Sequence, residues 1–425
     1  MALAREHLRA DGVFVQWMNV AFLDEALLRS LTATLLEVFG QVRIYRPDPA
    51  TLVFLAAREP LALEQRVAAS GMPLALAPAH YARFGINCAE DLIAALAVDE
   101  DGARRLAAGA ELITDDNNRM ATSSVFELGR GLGNEAAGRV LAEFDPLVNG
   151  APWLYAGLAG RFDPGYVARR QLFFRSLDAS VPDRVAALAR NLGETSAARY
   201  VRVLLLASRG DVAAAVQLAR ESLVAYPGAA SLAYASLQPS LGAIARGEVD
   251  AAQQAAIAAL PRSGQAAIRG AQLLVQGQFA QLAELDPLLA EAAWTDAWYF
   301  DALQLRSEWR SRVSNPDLAR RYSDQAIGFA DRATFIQPSL PLFAVRARAA
   351  INADRPDVLL ESVASVVQWT VAGANGASPQ SRARARSTLQ EVRGLLSGRD
   401  SDPRIDRLRL EEVRARVDEA IASLN

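Results

Sequence analysis

The sequence predicts a mixed chain, an α/β domain reduced to part of its sheet followed by an all-α array of paired helices. Three observations predict it. A β-branched and aromatic run, Val13-Phe-Val-Gln-Trp17, stands near the start and is followed by an amphipathic stretch and two more short apolar runs. From about residue 160 the texture turns to Ala-rich helical periodicity with no convincing strand. In the second half, a Gly- or Pro-marked turn recurs at intervals of 37, 30, 38 and 40 residues.

The elements follow in order. Ala4 to Arg9 reads as the end of a helix, and Ala10-Asp11-Gly12 as the turn that stops it. Val13 to Trp17 is a continuous apolar run, the pattern of a strand covered by helices on both faces. Asp24 can N-cap the next helix, which runs to about Phe39 with Leu27, Leu28, Leu31, Leu35 and Val38 on one face; Gly40 closes it. Val42 to Arg46 is a second strand, Pro47-Asp-Pro49 turns the chain, and Thr51 to Ala57 is a third. This order is the closing portion of an open α/β sheet that ends in a hairpin-like antiparallel strand. Residues 58–113 read as a helical insertion, with short helices at 61–69, 89–97 and 103–108 broken by Gly71, Pro73 and Pro78. Gly129-Arg-Gly-Leu-Gly133 lacks the leading strand and the full spacing of a dinucleotide loop, and reads as a linker. The expected domains are therefore 1–130, a linker at 131–160, and a helical domain at 161–425.

Composition narrows the chemistry. A chain of 425 residues exceeds what one core serves, and its 51% apolar content with net charge −3 describes a soluble globular protein. The single Cys88 excludes a disulfide framework and fits a reducing compartment. Met1 to His7 carries charges where a signal peptide is apolar, and no apolar run approaches the ~20 residues of a membrane helix, so the expectation is a cytoplasmic chain. Every basic residue is Arg, which excludes Schiff-base lysines and a Walker-type phosphate loop. His7 and His80 are the only imidazoles, too few with Cys88 for a His/Cys metal site. Cys88 reads as a small buried filler and His80 as a surface or loop residue. Ser381-Arg-Ala-Arg-Ala-Arg386 is a short basic run on a net-acidic chain, a solvated helix face rather than a nucleic-acid site.

Leu8-Arg-Ala-Asp-Gly-Val-Phe-Val-Gln-Trp17, then Leu23-Asp24, then Leu36-Glu-Val-Phe39, resembles the C-terminal half of spermidine synthase-like proteins. These are polyamine aminopropyltransferase relatives with a Rossmann-like, methyltransferase-type fold. Leu106 to Asn117, with Arg119 and Phe126-Glu127, is similar to the segment closing that domain. The resemblance implies that the Gly-rich cofactor loop and the amine-positioning acids belong to earlier strands that these residues do not include. It implies no cofactor in this chain; decarboxylated S-adenosylmethionine enters only with an N-terminal half.

Ligands of open α/β sheets sit beyond the carboxyl ends of the strands, which puts Gln16, Trp17 and Asn19 on the old substrate side. Asp115 and Asp116 could bind an amine by charge, against the alternative that Thr114 to Asn117 simply turns the chain. Ala21 and Asn118 depart from the family, where Tyr and Pro are common at those places. No catalytic residue and no metal ligand is assigned. The edge of Val13 to Trp17 invites pairing unless another chain, the helical half or an N-terminal segment covers it, and the last is preferred.

In the second half, Gly210-Asp-Val, Gly247-Glu-Val, Gly277-Gln-Phe, Asn315-Pro-Asp and Arg355-Pro-Asp each follow one helix and open another. Their spacing lies near the roughly 34 of tetratricopeptide repeats, and Pro227, Pro261, Pro287 and Pro338 fall near the ends of second helices. This resembles a degenerate tetratricopeptide-like solenoid, with an unrelated helical bundle as the alternative. Such arrays present a surface to a protein or peptide partner. Trp294 and Trp298 are expected to share a helix face and, with Trp309, form the densest aromatic cluster, as a partner-binding stripe or as core. Pro403 to Leu424, with Ile405, Leu408, Val413, Val417, Ile421 and Leu424 near helical spacing, is expected to cap the array. The function these readings support is a non-catalytic interaction scaffold, the alternative being the C-terminal part of an aminopropyltransferase in polyamine biosynthesis.

Overall fold

A computed structural model of the chain describes residues 1–70, 86, 88–117, 131–174, 180–313, 315–336, 339–374 and 379–424. The described residues up to Ser236 form one compact unit, and those from Leu237 a second.

The first unit opens with α1 (Ala2–His7), β1 (Phe14–Asn19), a 3-10 turn (Val20–Phe22), α2 (Glu25–Phe39), β2 (Gln41–Asp48) and β3 (Thr51–Ala57). Local signals account for α2: the Asp24 carboxylate accepts from the Leu27 N–H at 2.6 Å, and Gly40, at φ 86°, ends the helix in a conformation that costs glycine little. The buried face of α2, with Leu28, Leu31 and Leu35, meets Val42, Ile44, Leu52 and Phe54 of the sheet.

The sheet has the order β1-β3-β2-β4, β4 being Leu96–Val98. Because β3 runs antiparallel to both β1 and β2, those two are parallel to each other, joined across β3 by α2. The expected hairpin between the second and third strands is present. Strand β4 was expected to be the end of a helix, and three apolar residues are too few for periodicity to separate the two.

The expectation that Val13 to Trp17 is covered on both faces is overturned. On one face Met18 is buried and Phe14 stacks on Phe39, ring centroids 5.1 Å apart. On the other, Val15 is 58% and Trp17 56% exposed. Val15 lies opposite Leu55 and then Arg43, and Trp17 opposite Val53 and then Tyr45, so two rows cross one face of the sheet. Helices cover those rows at β2 and leave them open at β1. Among the described residues β1 pairs with β3 alone and is an edge strand.

Further helices complete this unit: α3 (Leu63–Ser70), α4 (Ala89–Ala95), α5 (Glu100–Ala107), α6 (Asn134–Ala142), α7 (Pro146–Asn149), α8 (Pro152–Leu158), α9 (Pro164–Phe174), α10 (Val181–Asn191), α11 (Ser196–Ser208), α12 (Val212–Ala225) and α13 (Ala230–Leu237). The linker expected at 131–160 is instead helical. Leu147, Leu154 and Leu158 enter one core with Ile93, Val167, Val185 and Val201, so packing carries the unit well past residue 160. The composition change there marks the end of strands, not the end of a core. Gly71, Pro73, Pro78, His80, Asn118, Arg119, Phe126, Glu127, Gly129 and Pro338 lie outside the described residues.

The second unit comprises α14 (Leu241–Ala245), α15 (Ala251–Ala258), α16 (Arg262–Val275), α17 (Phe279–Glu284), α18 (Asp286–Ala290), α19 (Tyr299–Arg310), α20 (Pro316–Ile336), α21 (Leu340–Asn352), α22 (Pro356–Ala374), α23 (Pro379–Leu395) and α24 (Arg407–Ser423). No described residue beyond 160 is in a strand. Helices α19 to α22 pack each on the next, and α14, α16, α19, α21 and α23 form a second series of successive contacts.

Four of the five turns flagged in the sequence share one geometry, the turn at Asn315 being the exception. Gly210, Gly247, Gly277 and Asp354 all have positive φ, between 57° and 88°. At each, two consecutive N–H groups reach back to the preceding helix: Gly277 to the Leu274 carbonyl at 3.1 Å and Gln278 to that of Leu273 at 2.9 Å, for instance. Helix α24 corrects the register read for the last segment. Leu410, Val413, Val417, Ala420 and Leu424 are buried, whereas Leu408 is 78% exposed. The Asp406 cap starts the helix at Arg407 and so sets a phase in which Leu408 points away from the core. No helix among the described residues is long and apolar enough to cross a membrane.

Candidate functional site

The residues expected on the substrate side do not assemble into a cradle. Gln16 donates its side-chain amide to the carbonyl of its neighbour Trp17 at 2.9 Å. Asn19 caps the 3-10 turn, its Oδ1 accepting from the Ala21 N–H at 2.9 Å. The loop after β1 is packed from above: Leu132 donates its N–H to the Leu23 carbonyl at 2.6 Å, and a Cβ placed on Gly131 would lie 1.9 Å from the Ala21 oxygen. Only glycine admits that approach.

Asp115 and Asp116 sit exposed in a turn held by others. Thr114 N–H donates to Asn117 Oδ1 at 2.8 Å, and Asn117 Nδ2 donates to the Leu112 carbonyl at 2.8 Å. That is the turn geometry the Asx and Thr types favour. Neither of two cavities of about 290 and 230 Å³ in the first unit is lined by Gln16, Trp17, Asn19, Asp115 or Asp116. These residues do not fit a nucleoside sulfonium cofactor.

The three tryptophans separate. Trp294 and Trp298 lie in the irregular stretch before α19 and share no helix face. Trp298 is buried, with its Nε1 donating to Ser263 Oγ at 3.0 Å, while Trp294 packs on Tyr299 at 4.5 Å between centroids. Trp309, on α19, donates its Nε1 to Asp286 Oδ1 at 3.1 Å and meets the Tyr322 ring edge-on. Burial pulls the Asp286 carboxyl up, but hydrogen bonds from Arg310 and Trp309 and the charge of Arg306 outweigh it and hold it below its ordinary value.

The charged interior of the first unit escaped sequence reasoning. On the covered part of the sheet, Arg43 bonds Glu64 and stands 2.8 Å from Glu100, and the Tyr45 hydroxyl donates to Glu64 at 2.6 Å. Trp153 lies under the Arg43 guanidinium and donates to Asp99 at 2.9 Å. Burial, and then the Glu64 charge, push the Tyr45 phenol well above its ordinary pKa, so it stays a donor.

At the other end of β2 opens the cavity of about 290 Å³, lined by Arg46, Arg139, Arg184 and Arg190 and by Glu135, Asp145 and Asp183. Its charges are largely used inside the protein. Arg184 pairs with Asp145 and donates to the Ala94 and Leu96 carbonyls, Arg139 pairs with Glu135, and Arg46 donates to the carbonyls of Pro49 and Asn134. Neither a histidine nor a cysteine lines it. The signal available beforehand was Arg43 and Arg46 within an apolar strand, where a charge demands a buried partner.

Cys88, read as a small buried filler, is instead half-buried at the N-cap of α4; desolvation by its surroundings pushes the thiol well above the ordinary value, away from thiolate chemistry. Among the described residues no group of His, Cys, Asp and Glu could hold a metal ion. Comparison of the chain with protein-family models, with curated proteins and with solved structures finds no match.

Proposed function

We propose that the chain is an interaction scaffold whose helical half, a degenerate tetratricopeptide-like array, takes up a protein or peptide partner. One observation carries this reading. The same two-bond reverse turn recurs at Gly210, Gly247, Gly277 and Asp354, each time ending one helix and opening the next. A repeated turn of one hand stacks helix pairs in series and builds an extended surface rather than a closed pocket. The aromatic cluster contributes little to that surface, since Trp298 is core and Trp309 is tied to Asp286.

Selection from a displayed peptide library on the full chain tests the proposal. The expected result is a peptide whose affinity falls at least about tenfold when exposed Arg262 and Arg269 of α16 are both changed to Ala. Failure to select any peptide above background overturns it.

A second reading, the C-terminal part of an aminopropyltransferase, has one observation in its favour: β1 and β2 are parallel and linked by a crossover helix, as in an open α/β sheet. The cradle that this reading needs is not formed among the described residues. Calorimetry with decarboxylated S-adenosylmethionine is expected to give no heat of binding, and turnover of that donor by the purified chain would establish the enzyme instead.

A further inference from the structure

One guanidinium in the second unit is held in place with its fork left open. On α19, Arg306, Trp309 and Arg310 converge on a single carboxylate, that of Asp286 at the start of α18. Arg310 bonds both of its oxygens, and Arg306 Nε and Trp309 Nε1 each donate to Oδ1 at 3.1 Å. Arg310 also donates to Gln325 Oε1 and to the Arg306 carbonyl. Arg306 makes only the one bond. Among the described residues its two terminal nitrogens have no hydrogen-bond partner, and neither is buried away from solvent.

The fork is fixed from two sides. Its carbon sits 4.5 Å from the centroid of the Phe329 ring on α20, and the Nε bond to Asp286 holds the other end. The Arg306 side chain is only 18% exposed, on a helix buried along most of its length. Arg310 lies 4.9 Å from the same ring, so two cations share one aromatic ring and one carboxylate. Glu308, between them in sequence, is taken by Arg348 and Arg312. The cluster therefore lacks one negative charge.

We propose that Arg306 anchors an Asp or Glu side chain of the peptide that the helical half takes up, its two terminal nitrogens binding the carboxylate. Charge selects the occupant, and so does precedent, since an aspartate carboxylate already accepts from the Nε of the same guanidinium. A guanidinium presents parallel N–H donors that match the two oxygens of a carboxylate. A fork already immobilised loses little rotamer freedom on binding. Exposed Arg262 and Arg269, on the helix α16 that packs on α19, add positive charge on the neighbouring element. This inference rests on the reading of the helical half as a peptide-binding array and names the chemistry that its partner carries.

Peptides selected from the displayed library on the full chain test it, and they are expected to share an Asp or Glu at one position. Made with an amidated C-terminus, they are measured by fluorescence anisotropy against the native chain, Arg306→Gln and Arg306→Lys. Changing the shared acid to its amide is expected to weaken binding to the native chain at least about tenfold, and binding to Arg306→Gln by less than about twofold. Arg306→Lys keeps the charge and loses the fork, and is expected to fall between the two. Arg310 still holds Asp286 in both variants, so circular dichroism is expected to be unchanged. A merely structural role for Arg306 would weaken the acid and amide peptides alike. Peptides without a shared acid, an acid-to-amide cost equal on all three chains, or binding lost on amidation of the C-terminus overturn this inference and leave the array reading standing. Failure to select any peptide overturns both.

Discussion

The indole Nε1 of Trp298 donates to the hydroxyl of Ser263 across 3.0 Å, and both side chains are buried. The bond fixes the irregular stretch before α19 onto α16, and the ring lies against Gly264, where a Cβ would come within 3.3 Å of it. A residue that reads as part of a binding stripe is therefore a packing element. Trp298→Ala is expected to cost about 3–5 kcal/mol in denaturant unfolding, and Ser263→Ala about 1–3 kcal/mol by orphaning the indole donor. Trp294→Ala, at a half-buried ring, should cost less than either. Equal losses at Trp294 and Trp298 would show this assignment to be wrong.

Glu64 is the hinge of the charged layer on the covered part of the sheet, fully buried between Arg43 and Tyr45. Removing one partner of a buried pair strands the other. Glu64→Gln is expected to lower stability by about 3–5 kcal/mol, and Tyr45→Phe by about 1–2 kcal/mol because Arg43 still satisfies the carboxylate. Urea midpoints for the two variants, measured side by side, check the order.

Arg348 on α21 ties two neighbours together, bonding Glu308 of α19 at 3.0 Å and also Glu391 of α23. A lysine in its place supplies a single point charge and cannot serve both carboxylates in the fork geometry that guanidinium offers. Arg348→Lys is expected to cost about 1 kcal/mol and Arg348→Met about 2 kcal/mol, since the latter leaves the buried Glu308 only the more distant Arg312, at 3.4 Å. Thermal unfolding monitored by circular dichroism separates the two.

Arg404 donates to both Asp354 and Asp402, near the end of the second unit. Its hydrogen bonds hold the Asp354 carboxyl below its ordinary value and that of Asp402 down to about 2. A depressed folded-state pKa contributes stability that is complete above the unfolded value near 4 and is lost as pH falls through the folded value. The difference in melting temperature between the native chain and Arg404→Gln is accordingly expected to be constant near neutrality and to shrink between about pH 4 and pH 2. A difference that grows on acidification contradicts the assignment.

The order of elements from α1 to β3 was legible because each is specified locally. Asp24 and Gly40 bracket α2, and the turn read at Pro47 to Pro49 falls one residue later, at Pro49-Ala50, with β2 running on to Asp48. The reverse turns of the helical half were legible for the same reason, since a residue at positive φ announces itself as glycine three times in four. Asp354 is the exception, and its place was found only through the Pro two residues later. Short β4 and the register of α24 were misread, because neither three residues nor a helix start one turn late leaves a periodic trace.

What the amino-acid sequence determined by itself was therefore the local backbone: where helices begin, where they end, and which runs extend. Which faces are covered was decided by tertiary structure alone. Val15 and Arg43 lie in one row of the sheet, yet the apolar residue is open to solvent and the charged one is buried. Burial is a property of what packs above a position, and α3, α5 and α8 come to lie over β2 through contacts between residues far apart in the chain.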